Sequence, residues 1–258
     1  MLQTIADIVR AAGEIILQAD ADKHVRRKSS KHDLVTRYDT QVQEFLRRAL
    51  LDVLPAAGFF GEEDDGDAVC LSGLHFIVDP IDGTTNFIKG LRRSCVSVAL
   101  ADGERIVLGV IYNPYTDEMF TAEAGNGAYL NGEPIHVSRC GMDEAVVYAG
   151  ASPYYPACYD ETFRLARSLM GRCVDIRRSG SAALELCDVA CGRAEAYFEA
   201  LLSPWDYAAG ALIVKEAGGF VTDMEGKPLQ FSEKSSLAAA NPACFDELLR
   251  LAREAKLC

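Results

Sequence analysis

Between residues 74 and 130 the chain is a succession of short apolar stretches, at 74–78, 95–101, 105–112, 119–123 and 127–130, punctuated by Asp102-Gly103, Asn126-Gly127 and Asn131-Gly132. Turns of this composition join antiparallel neighbours, so the segment predicts a largely antiparallel sheet. After about Ser138 the rhythm changes. Helical periodicities at 159–170, 181–191, 206–217 and 243–254 alternate with short strands at 174–176, 196–199, 219–222 and 236–240, which predicts an α/β half. Two helices precede both, at 2–21, where Ile5, Ile8, Val9, Ala12, Ile15, Ile16 and Ala19 share a face, and at 40–53. With no Pro-, Gly- or Ser-rich linker and no repeat, the reading is an α+β half (1–138) and an α/β half (139–258) in one compact unit with a cleft between them.

Asp79-Pro80-Ile81-Asp82-Gly83-Thr84-Thr85 follows directly on the first apolar stretch. Pro80 fixes φ and donates no hydrogen bond, so the two carboxylates can converge while the Ile81 carbonyl turns toward the same point. Gly83 permits close backbone approach, and a helix starting after it would direct free N–H groups and its positive dipole end at an anion. The C-terminal end of a strand is also where α/β proteins bind ligands.

The same residue types make ordinary surface turns. A turn needs no further carboxylates, yet this chain supplies them in Gly61-Glu62-Glu63 and in Trp205-Asp206, at the head of a helical segment running to Gly218-Gly219. Glu62, Glu63, Asp79, Asp82 and Asp206 in one cleft would raise one another's pKa unless divalent cations neutralised them. The donors are all oxygen, which suits magnesium; His24, His32, His75 and His136 show no ligand spacing, which argues against zinc.

On these motifs, with Lys28-Ser29-Ser30, Asp33-Leu34-Val35-Thr36 and Asp39 upstream and Trp205 to Gly210 through Gly218-Gly219 downstream, the chain resembles the inositol monophosphatase family. These are magnesium-dependent, lithium-sensitive phosphatases, and the likeness covers nearly the whole length. It implies a layered α-β-α-β-α sandwich of the sugar-phosphatase type, a homodimer, and hydrolysis of a phosphate monoester. It implies two or three Mg2+ ions on Glu62, Asp79, the Ile81 carbonyl, Asp82 and Asp206, with Glu63 and Thr84 completing the shells, and inhibition by Li+. In such sites a pair of ions about 3.5–4 Å apart activates water and stabilises the leaving oxygen. Glu62 and the Thr84 hydroxyl are the candidates to orient and deprotonate that water, with Asp82 among the catalytic carboxylates. The Gly83 and Thr84 amides would hold the phosphate.

For the rest of the substrate, the resemblance gives Glu199 and the backbone of Gly180, Ser181 and Ala182 to polyol hydroxyls, Asp206 to the same wall, and Lys28 to the incoming phosphate. The bland alternatives are a solvated strand end for Glu199 and a solvated cation for Lys28, while Ser181 can cap a helix and line the site at once. Lys89, Arg92 and Arg93 depart from the family's apolar pattern and either favour a second phosphate or solvate a loop. The expected substrate is myo-inositol monophosphate or a similar polyol phosphate. The alternatives are a sugar bisphosphate or 3′-phosphoadenosine 5′-phosphate, and a transcription-associated binding role known in some bacterial relatives, for which no basic stripe or tail speaks.

A net charge of −12 and a pI of 4.8 disfavour nonspecific binding to nucleic acid or acidic membranes. No terminal signal or apolar run of about 18 residues is present, so a cytoplasmic location is expected. Nine cysteines without a C-x-x-C pair suit a reducing compartment and small buried positions. Cys187 to Arg193 has the C-x5-R spacing of cysteine phosphatases, but it falls in a helical pattern rather than a glycine-rich loop.

Overall fold

The computed structural model describes residues 1–19, 25–27, 34–64 and 71–257. Lys28, Ser29, Ser30, Asp33, His24, His32, Cys70 and Cys258, on which the sequence placed expectations, lie outside the described residues. Helix α1 (Leu2–Leu17) buries Ile5, Val9, Ala12 and Ile16, ending before the expected residue 21. A two-stranded ribbon, β1 (Arg26–Arg27) and β2 (Leu34–Val35), leads into α2 (Arg37–Val53). That helix starts three residues earlier than its apolar periodicity predicts, because Thr36 and Asp39 form a capping box in which the Thr36 amide donates to Asp39 Oδ2 at 2.7 Å.

The first sheet runs in chain order: β3 (Gly58–Gly61), β4 (Leu74–Asp82), β5 (Cys95–Asp102), β6 (Arg105–Asn113), β7 (Glu118–Glu123), β8 (Ala128–Leu130) and β9 (Glu133–Ile135). The pairs from β4 onward are antiparallel, as the turn signals predict, and β3 joins β4 in parallel. Strand β9 carries Pro134 at the sheet edge, where a missing N–H does no harm. A short helix, α3 (Thr84–Lys89), stands between β4 and β5.

The second sheet comprises β10 (Val146–Ala149), β11 (Asp175–Arg177), β12 (Ala196–Leu202), β13 (Phe220–Thr222) and β14 (Ser235–Ala240), in the order β11-β10-β12-β14-β13. Strand β10, which the sequence reading did not anticipate, pairs in parallel with β11 and β12, while β14 is antiparallel to its neighbours. Its helices are α4 (Tyr159–Leu169), α5 (Ala182–Ala190), α6 (Pro204–Glu216) and α7 (Phe245–Leu257).

Alternation along the strands sorts these elements into layers. Phe76 and Val78 of β4 pack with α1 and α2, whereas Ile77 between them packs with α5 and α6. Tyr197, Leu237 and Ala239 of the second sheet close on α5 and α6 from the other side. Val147, Phe198 and Ala238 turn outward to α4 and α7. The result is the expected α-β-α-β-α sandwich. Lying between two sheets, α5 buries all nine of its residues, and α6 is apolar nearly all round. Close approach is built in: a Cβ on Gly109 of β6 would meet the Ala209 carbonyl of α6 at 2.8 Å, and one on Gly210 would meet Leu186 at 2.6 Å. Among the described residues no helix is long and apolar enough to cross a membrane.

Candidate active site

Strand β4 ends in a bulge that aims its two carboxylates. Asp79 lies opposite Ser97 and Asp82 opposite Cys95, so β4 advances three residues while β5 advances two. Pro80, lacking a donor, sits where the ladder breaks. Asp79 Oδ1 accepts from the Ile81 amide at 2.9 Å, and the Ile81 carbonyl lies 3.1 Å from Thr84 Oγ1. Gly83 turns the chain into α3 at φ +87°, a left-handed conformation that favours glycine. The first helical hydrogen bond runs from Phe87 N to Gly83 O, so the preceding amides of α3 have no partner within the helix.

The third carboxylate comes from the far side of the chain. Asp206 occupies the first turn of α6, where its Oδ2 accepts from the Ser203 amide at 2.7 Å in a capping box. One carboxylate oxygen each from Asp79, Asp82 and Asp206 lies within 4.8 Å of the others. Glu62 joins them from the end of β3: its amide bonds to Val78 O at 3.1 Å, and its side chain hydrogen-bonds to Asp79. Glu63 instead lines an adjoining hollow with Thr36, Arg37 and Glu44. Asp64, absent from the sequence reading, ties this corner to α2 through Gln43 at 3.0 Å and Arg47.

The electrostatics follow from crowding acids in a dry place. Burial, then the charges of Glu62, Asp82 and Asp206, push Asp79 well above the usual carboxylate range. Burial does the same to Asp206, aided by Asp82 and Glu62. Asp82 is raised only to about 6, because donors oppose its burial. Ser181 Oγ at 2.6 Å, Ala183 N at 2.8 Å and Cys95 Sγ at 3.7 Å all point at Asp82 Oδ2. Among the described residues no Lys or Arg side chain pairs with the three aspartates, so their charge has no counter-ion among those residues. An all-oxygen, uncompensated set of this kind fits a hard divalent cation.

Thr84 has a second partner that the sequence reading left without a role. Its Oγ1 lies 3.2 Å from Asp39 Oδ1, while Asp39 Oδ2 is held by Thr36. Asp39 is fully buried. The Thr-x-x-Asp spacing at the start of α2 was the signal that could have found it.

The cleft that holds these groups has a volume of about 710 Å3, and Gly180, Ser181, Ala182, Glu185 and Glu199 form its other wall. Ser181 caps α5, accepting from Leu184 N, while its hydroxyl proton goes to Asp82. Glu199 is buried: Oε1 accepts from the Ser152 amide at 2.7 Å and its hydroxyl at 3.2 Å, and Oε2 from the Tyr197 hydroxyl at 2.6 Å. The solvated strand-end alternative is thereby removed. Asn86 of α3 staples the two walls, donating to Arg93 O at 2.7 Å and Ser179 O at 2.8 Å.

The cationic loop points elsewhere. Arg93 pairs with buried Asp188 and donates to Tyr148 Oη at 3.2 Å, while Lys89 and Arg92 are exposed and outside the cleft lining. Cys187 is fully buried inside α5, and burial pushes its thiol well above the ordinary value, the reverse of what a cysteine nucleophile needs. Among the described cysteines, 95, 187 and 244 are buried and the others half-buried.

Comparison with known proteins agrees with this architecture. The model of the inositol monophosphatase family matches residues 1–257. Inositol monophosphatase 3 of Solanum lycopersicum is 38% identical over 260 residues, spanning 98% of this chain and 96% of the relative. The Nus factor SuhB of Vibrio cholerae is 34% identical, spanning 98% and 96%. The crystal structure of the extragenic suppressor protein suhB from Bartonella henselae superposes with a TM-score of 0.88 at 36% identity, covering 98% of this chain and 97% of that one. By its sequence from end to end and by its five-layered fold, the chain belongs to the inositol monophosphatase family of phosphatases.

Proposed function

We propose that the protein hydrolyses phosphate monoesters with Mg2+ as cofactor, and that its substrate is myo-inositol monophosphate or a similar polyol phosphate. The observation carrying this reading is the convergence of Asp79, Asp82 and Asp206 within 4.8 Å, next to the start of α3. In this reading Glu62 and the Ile81 carbonyl complete the oxygen set, and Glu63, from the adjoining hollow, contributes to the outer part of the shell. Bound there, Mg2+ would polarise the phosphate and lower the pKa of water.

The chain's own groups do the rest. Thr84 Oγ1, in donating reach of Asp39 and of the Ile81 carbonyl, keeps its lone pairs for a water hydrogen and so orients the attacking water. Glu62 stands at the same cluster as the group to take the proton. The Gly83 and Thr84 amides, ahead of the first helical bond, hold the phosphate oxygens. Glu199, Asp206 and the backbone of Gly180, Ser181 and Ala182 face the polyol, and Lys28 completes the phosphate side. Li+ inhibition, a homodimeric state and a cytoplasmic location belong to the same reading.

Phosphate release from a panel of polyol, sugar and nucleotide monophosphates and bisphosphates, with and without Mg2+ and with added Li+, tests it. Magnesium-dependent turnover that is fastest on inositol monophosphate is the expected result; turnover without any divalent ion, or none at all, defeats it. The name Nus factor carried by the Vibrio cholerae relative supports a second reading, a role beside transcription. Capture of RNA polymerase by an Asp82→Asn protein, which lacks turnover, would favour that reading.

A further inference from the structure

Glu185 is a buried carboxylate that neither the family motifs nor the sequence reading singles out. It sits in the first turn of α5, is 2% exposed, and lines the cleft on the wall that also carries Glu199. Its two oxygens are used differently. Oε1 accepts from the Ser179 amide at 2.6 Å, the Ser179 hydroxyl at 2.9 Å and the Gly180 amide at 3.2 Å, which fixes the carboxylate to the turn before α5. Oε2 has no donor among the described residues and is not sealed from solvent, so what access it has is to the cleft.

That distinguishes it from Glu199, where Ser152 and Tyr197 occupy both oxygens. A carboxylate oxygen has two acceptor positions, so Glu185 Oε2 offers both while Glu199 Oε2 has one left. An acceptor that no protein group occupies and that opens only to the cleft is placed to take a donor from whatever the cleft holds. Burial, then the nearby charge of Glu199, raises Glu185 to about 7, against the donors at Oε1. Of the two parts of a phosphate ester, the one that suits this position is a hydroxyl of the alcohol portion, since the phosphate itself would be repelled by both carboxylates.

We infer that Glu185 is a substrate-binding residue, its Oε2 accepting hydrogen bonds from hydroxyls on the alcohol portion of the phosphate ester and so selecting polyhydroxylated leaving groups. This rests on reading the site as a polyol phosphatase. Glu185→Gln isolates the effect, because an amide oxygen can still take the Ser179 and Gly180 donors while the acceptor at Oε2 becomes a donor.

The measurement is the ratio of kcat/KM for myo-inositol 1-phosphate to kcat/KM for p-nitrophenyl phosphate, whose leaving group has no further hydroxyl. The ratio should fall about tenfold or more in E185Q, carried by KM for the inositol ester rather than by kcat. A ratio that stays at the wild-type value, even if both activities drop together, overturns the inference and leaves a purely structural role. Should E185Q not fold by circular dichroism, Glu185→Asp draws the carboxylate back by one methylene and must show the same fall. Failure of the wild-type protein to hydrolyse either ester removes the phosphatase reading and this inference with it; wild-type turnover with an unmoved ratio removes only the inference.

Discussion

Ser181 Oγ lies 2.6 Å from Asp82 Oδ2, joining the start of α5 to the carboxylate cluster at the end of β4. With Ala183 N and Cys95 Sγ it places all three donors on one oxygen of that carboxylate, so the other is the one presented to a cation. Ser181→Ala should therefore raise the Mg2+ concentration for half-maximal activity by about 10–100-fold, with a smaller change in kcat at saturating metal. Direct titration of Mn2+ or Mg2+ by calorimetry reads the same loss without turnover. Unchanged metal affinity would show that the bond only caps the helix.

Metal-free protein should lose stability as pH rises. Asp82 is displaced upward from an ordinary 3.8 to about 6, and Asp79 and Asp206 move the same way, so the folded state holds more protons than the unfolded one in that interval. Their stabilising protonation is complete below the unfolded value and lost as pH passes the folded one. Mg2+ replaces those protons, so its effect on Tm should be larger at about pH 8 than at about pH 5. Thermal scans with EDTA and with Mg2+ at both pH values check the sign; an equal gain at both contradicts it.

Asp82→Asn removes one charge from an uncompensated trio. The fold should persist, and the metal-free variant should melt higher than wild type near neutral pH while phosphate release collapses. A lower Tm together with lost activity would point to a misfolded cleft instead.

Thr84→Val keeps the shape of the residue but removes the hydroxyl between Asp39 and the Ile81 carbonyl. The expected cost is about 10²–10⁴-fold in kcat, with calorimetric metal binding retained. Thr84→Ser should recover most of the rate. Full activity in the valine variant would remove Thr84 from water orientation.

Arg93→Ala should behave as a stability variant. It strips buried Asp188 of its main cation and leaves the more distant Arg193, at 3.5 Å. Because Arg93 is one-third exposed and Arg193 remains, a loss of about 1.5–3 kcal/mol in denaturant unfolding is expected, with preference between mono- and bisphosphates unaltered. A shift in that preference would instead put Arg93 at the substrate.

The individual helices and most strands were legible because strand alternation and helix periodicity each report a buried face, whereas their stacking into layers was implied by the family resemblance, since periodicity does not give topology. The carboxylate cluster was legible because Pro80 and the glycines mark chain geometry that side chains alone cannot. Less readable were the partners that tertiary structure supplies. Glu185 looks like any polar position in a helix until two sheets enclose it. Asp39 forms the capping box of α2 with Thr36, and only the fold brings Thr84 to its second oxygen. Strand β10 escaped notice because the 3₁₀ turn at Met142–Glu144 and the loop after it hid a four-residue strand between stronger signals.

Helix α6, wedged between the sheets with Gly109 and Gly210 at close contacts, has little room to slide. Asp206 rides on its first turn, so the position of that carboxylate is set by contacts at Ala209 and Gly210, three and four residues further along the helix. Adding a single methyl at either glycine would act like a shim under a beam: the wedge would shift, and hydrolysis would fade although no group in the cleft had been touched.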